Sequence, residues 1–395
     1  MSIWSHWLSH ALEPLRRQRL PRASLSPPKR RRRGFESLES RRVLSVNSNF
    51  LAGTLTINLT GADTVAITAA GGNVQLTING LAGFDPDSGV LFAGDVNEID
   101  ITGLGNFNNT IDLTALNKAD FGALSTILLN GGDGSDTYKL DQSILPAAVV
   151  SVNDTGLTGA DSLQLGTTSA GPETINVSSL NVGRSSHPTV GYTGIESLNI
   201  DGAAAADTIN VASTAAGTQT TINAGTGLDT LGNIDLTSIG AAGLTINTGG
   251  DGESLIANAA TAGTLSISST QIQRTGNGAI TYNGLSSLTV NGTAGIDTFN
   301  VASTAAGTQT TINAGTGLDI FGNIDLTSIG AAGLTISAGG DGESLTANTA
   351  IAGTVSISST QVQHAGDGAL TYSGLSGLNI NGTSSADTFN IASTA

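Results

Sequence analysis

The chain repeats itself, and the period limits what it can become. "DTINVASTAAGTQTTINAGTGLD" begins at Asp207 and "DTFNVASTAAGTQTTINAGTGLD" at Asp297, a period of 90 residues. A further start, "DTFNIASTA", falls at Asp387, and a diverged copy opens at Asn109 with "NTIDLTA". The units therefore run 47–108 (degenerate), 109–206, 207–296, 297–386 and 387–395. Self-similarity at a fixed period is the mark of units that bury their apolar faces by stacking on one another. Earlier copies continue past the point where the last one stops, so the sequence reads as a fragment, with self-association expected at an open C-terminal end.

A finer beat lies inside each unit. Glycine-rich corners such as "GTAGID", "AGTGLD", "GGDGES" and "AGDGAL" recur every 22 to 26 residues. Between them run short alternations of apolar residues with Thr, Ser or Asn, including "TTINAG", "GLTISAG" and "TVSISST". A period of two marks strands with one buried face. Two strands per coil leave no room for a crossover helix, and glycine lets the chain turn at positive φ. The expected fold is all-β: a parallel β-solenoid, or β-helix, of 22–26-residue coils grouped in 90-residue repeats, with roughly 15 coils forming a rod of about 70 Å. Tandem β-sandwich domains are the rival, since 90 residues is close to one such domain. Against that rival, Trp4 and Trp7 lie outside the repeats. Tyr192, Tyr282 and Tyr372, spaced by 90, read as one packing post per unit.

Charge divides the chain. Residues 1–45 hold 11 of the 15 Lys and Arg against three Glu, whereas the remainder holds four basic and 28 acidic groups. The acidic body should repel nucleic acid and anionic membrane and attract divalent cations. No stretch approaches the roughly 20 apolar residues that span a bilayer, so no membrane insertion is expected. Cysteine is absent, which leaves the redox compartment open.

Residues 1–46 read as a basic, mostly disordered export or targeting segment. The stretch "FESLESRRVLS", Phe35 to Ser45, resembles the F-E-x-L-E-x-R-x-L motif of large secreted repeat proteins of planctomycete bacteria, with one extra residue before Leu44. That resemblance implies export to the cell surface or medium. Matrix or cell-surface components, including polysaccharide, are then the expected partners.

One short stretch carries metal chemistry. "GGDGSDTYK", Gly131 to Lys139, fits the calcium-turn pattern G-G-x-G-x-D-x-U-x, with degenerate copies ending at Asp229 and Asp319. It resembles the turns of the repeats-in-toxin (RTX) family, and the resemblance implies Ca²⁺ at Asp133, Asp136, Asp229 and Asp319. Ca²⁺ takes six to eight hard oxygen ligands, which carboxylates and glycine-rich backbone can supply. The plainer alternative is that each Asp accepts backbone N–H bonds at its turn, as in Asx-turns. Asp297 and Asp319 should stack on successive coils, about 5 Å apart. Asp251 with Glu253, repeated as Asp341 with Glu343, are the best paired carboxylates for catalysis, but repetition along a rod is what structural corners show. Arg274 becomes His364 in the next copy, and His187 has no evident partner set, so no catalytic residue is assigned. The function expected is a secreted or cell-surface structural and adhesive stalk. The alternatives are a calcium-binding RTX-like module and a fragment of a carbohydrate-active β-helix enzyme.

Overall fold

The computed structural model describes residues 45–84, 90–145 and 149–394. The export segment expected at residues 1–46 lies outside them, apart from Ser45 and Val46. The body, Leu44–Ala395, forms one contact unit. It is all-β, with two long sheets of 18 and 16 strands running side by side. At roughly 4.8 Å per strand the longer sheet extends about 80 Å.

Each ordinary coil gives one strand to each sheet, and successive coils pair in parallel and in register. In one sheet Ile200, Ile222, Ile246 and Tyr282 stand in line. Their copies Val290, Ile312, Ile336 and Tyr372 stand in line in the other. The alternation seen in the sequence is the reason: in Gln219–Asn223 the burial alternates, with Thr220 and Ile222 inside. Small and branched side chains stacked this way fill a narrow interior, and Phe299 and Phe321 add a stacked ring pair at 5.5 Å. The tandem-sandwich alternative is excluded because pairing runs unbroken from one 90-residue unit into the next.

Each unit interrupts the winding once. After Ser162–Gly166 the chain crosses to the other sheet at Thr174–Val177, leaving a gap of two strands behind it. It then folds back through Asn181–Arg184 and Val190–Thr193, both antiparallel steps, and the last of these pairs with Val149–Asn153. The three-strand meander thus fills the gap it left. It recurs at Thr264–Asn283 and at Thr354–Ser373.

This detour sets the symmetry. Of the nine strands in a unit, three stay in one sheet, so the chain makes an odd number of sheet visits and the next unit starts on the opposite sheet. Thr208–Val211, Thr298–Val301 and Thr388–Ile391 accordingly alternate between the sheets. The 90-residue unit is not a whole number of coils. Neighbouring units are related by a half-turn about the stack axis combined with a step along it.

Candidate functional site

An acidic residue precedes most of the strands that begin at the glycine-rich corners, and the fold lines these residues up. In the first column the Asn109 N–H donates to Asp136 Oδ1 at 2.6 Å, the Asp136 N–H to Asp161 Oδ1 at 2.7 Å, and the Asp161 N–H to Glu196 Oε2 at 2.7 Å. In the second, the Glu173 N–H donates to Asp207 Oδ1 and the Asp207 N–H to Asp229 Oδ1, both at 2.7 Å. The third repeats the second on the opposite sheet, with Gly263, Asp297 and Asp319. The reason is local. A corner N–H at the edge of a coil has no strand partner, and a buried unpaired donor is expensive. The carboxylate of the next coil supplies the acceptor. These bonds run between coils, 22 to 35 residues apart, while Asp207 and Asp297 use their Oδ2 to accept an N–H of their own turn, from Ala203 and Thr293.

The four residues singled out by the calcium-turn pattern are placed differently. Asp133 is half-buried and its Oδ1 accepts the Leu157 N–H at 2.8 Å. Asp136, Asp229 and Asp319 are buried members of the columns, and each keeps its Oδ2 buried without a hydrogen-bond partner. Burial, reinforced by neighbouring carboxylates, pushes Asp136 and Asp229 up to about 6. Asp319 is raised for the same reasons, with Asp297, Glu343 and Asp341 as its charged neighbours. Asp297 and Asp319 stack on successive coils, as their spacing suggests.

Asp136 alone of the four belongs to a multidentate set. Oxygens of Asp136, Asp154 and Asp161 all lie within 4.8 Å of one another, and all three residues are buried. Asp161 is also raised to about 6, by burial first and then by Asp154, Asp136 and Glu196. Asp154 Oδ1 accepts the Gly156 N–H at 2.8 Å, and its Oδ2 accepts the Tyr138 hydroxyl at 2.6 Å. That hydroxyl in turn accepts the Gly131 N–H. Tyr138 is fully buried and stands in its strand where the later units carry Leu231 and Phe321.

The sequence pattern pointed at Asp136 but not at Asp154 or Asp161. A signal for Asp161 was present: "SDTYKLD" and "ADSLQLG" put an Asp before a strand 25 residues, or one coil, apart. Asp154 had none, because its approach depends on how one corner overlies the next.

The paired carboxylates and the basic residues singled out in the sequence are engaged in the framework. Glu253 accepts the Asp251 and Gly252 N–H groups, and Glu343 repeats this with Asp341 and Gly342. Arg184 holds Glu173 at 2.6 Å, Gln142 at 2.9 Å and the Asp201 carbonyl, and His187 Nε2 lies 3.1 Å from Glu173 Oε1. In the later copies Arg274 donates to the Thr261 and Ala262 carbonyls, and His364 Nδ1 meets Asp367 at 2.6 Å. Arg184 and Arg274, at equivalent positions, thus pin their meanders to the approach loop, whereas His364 bonds within the meander's own turn. Compared with known proteins, the chain matches no family model, no curated protein and no solved structure.

Proposed function

We propose that the protein is exported and serves at the cell surface or in the extracellular matrix as a structural and adhesive stalk. The observation that carries this reading is the unbroken strand pairing from Thr54 to Ile391, parallel except at the meanders, which makes the body one continuous stack. A stack of this kind resists bending because each coil is hydrogen-bonded to the next along its whole length. The acidic corners join coils to each other, and the paired carboxylates at Asp251/Glu253 and Asp341/Glu343 bind backbone, so the groups suggestive of catalysis have structural work. The motif Phe35–Ser45 supports export, and the excess of acidic groups in the body supports partners other than nucleic acid, with matrix polysaccharide the leading class.

Surface labelling of intact producing cells with an antibody against residues 207–296 tests this reading. Label on unbroken cells or protein in the medium is the expected result. Signal released only by lysis would overturn it.

A further inference from the structure

The geometry points to a cation site: Asp136, Asp154 and Asp161 together hold one hard divalent cation, Ca²⁺, between adjacent coils near the N-terminal end of the stack. The inference does not depend on the stalk reading.

Four observations converge on it. First, the ligand atoms approach within 4.8 Å of one another. That is the span across a Ca²⁺ ion bound at 2.3–2.6 Å to each oxygen. Every donor is a carboxylate oxygen, which favours Ca²⁺ over softer metals that seek nitrogen or sulfur.

Second, Asp136 Oδ2 is buried with no hydrogen-bond partner in a residue that is 1% exposed. It lies against Gly131, whose N–H is bonded to the Tyr138 hydroxyl, and that hydroxyl is bonded to Asp154. The unsatisfied oxygen therefore borders the Tyr138–Asp154 pair.

Third, Asp154 is the exception among its neighbours. It follows Asn153, and the register places Asn130 in the preceding strand and Thr193 in the following one. The residues after these are Gly131 and Gly194, and one strand further back it is Gly103. A slot that adjacent coils fill with glycine here receives a carboxylate, and Tyr138 supplies a buried hydroxyl to orient it. The framework needs neither group, because the later units stack with Leu231 and Phe321 at the tyrosine position and with Thr248 and Ala338 at that of Asp154.

Fourth, none of the three carboxylates is in an ion pair with a basic side chain among the described residues. Three buried carboxylates without a countercharge repel one another, and a divalent cation offsets most of that charge. The ligands come from two successive corners. This differs from a calcium turn closed within consecutive nine-residue repeats, and it leaves Asp133 outside the set.

The test uses the full chain, stripped with chelator and titrated with Ca²⁺ by calorimetry, with thermal melting in parallel. One saturable site and a melting temperature that rises with Ca²⁺ are expected. Asp154→Gly combined with Tyr138→Phe installs what neighbouring coils and later units tolerate. It should fold, melt no lower than the stripped wild type, and lose the calcium response. Tb³⁺ as a probe should luminesce on excitation of the protein's aromatic residues, and Tyr138→Phe alone should reduce that signal while leaving uptake measurable. Asp133→Asn should leave Ca²⁺ affinity within about twofold. Absence of saturable Ca²⁺ uptake by the wild type at millimolar concentration overturns the proposal, as does uptake that survives the double substitution.

Discussion

At the scale of single residues, the buried carboxyls make the protein acid-favouring over a defined range. Asp229 is pushed up to about 6 from an ordinary aspartate value of 3.8. The folded chain therefore holds this proton more tightly than the unfolded chain. Its contribution is fully present below about 3.8 and is lost as the pH rises through about 6. In chelator, the melting temperature should rise between pH 7 and pH 5. The Asp229→Asn, Asp319→Asn double variant should melt higher than wild type at pH 7 and show a shallower pH dependence. A pH-independent difference between the two proteins would contradict this assignment. The tyrosines give a second residue-scale expectation. The hydroxyls of Tyr192, Tyr282 and Tyr372 donate to the Ser178, Ser268 and Ser358 carbonyls at 2.6 to 2.7 Å. Each Tyr→Phe should lower stability by about 1 kcal/mol in chemical denaturation. Three similar values are expected from three copies of one contact.

At the scale of elements, the corners and the meander behave differently as sequence signals. The corners were legible because glycine there answers a stereochemical need. Gly225 and its copy Gly315 sit at φ 101° and 100°, and a Cβ on either would strike the Ala203 or Thr293 carbonyl oxygen in the adjoining coil. Gly225→Ala should therefore destabilise by more than about 1 kcal/mol, read as a lower denaturation midpoint with unchanged slope. The bulges at Asn233 and Asn323, both at positive φ, break the register between Leu231 and Ile234 and between Phe321 and Ile324. The meander was not legible. "GTLSISSTQIQRTGNGAITYNG" alternates like any other pair of strands, and alternation says which side chains are buried but not which strand lies beside which. Its direction reversals rest on tertiary pairing, such as Ile272 with Ile280. The candidate site divides in the same way. Asp136 stands in a recognisable turn, whereas Asp154 joins it only through the stacking of two corners.

For the whole molecule, the reversing meander converts a simple sequence repeat into a half-turn of the stack. A surface feature repeated every 90 residues therefore faces opposite sides in successive units, and the same side only every second unit. The alternation suits a stalk that presents equivalent surfaces on both sides. It also implies that one unit can be removed without disturbing the pairing, because the start of the unit at Asp297 is nearly identical to the start at Asp207. A unit contributes nine strands over two sheets, hence about 22 Å of length at roughly 4.8 Å per strand. The most direct measurement is small-angle scattering on the full chain and on the chain lacking residues 207–296. The deleted protein is expected to remain folded, with its maximum dimension shorter by about 20 Å and its cross-section unchanged. A change in cross-section, or a length that does not fall with the deletion, would contradict a single continuous solenoid.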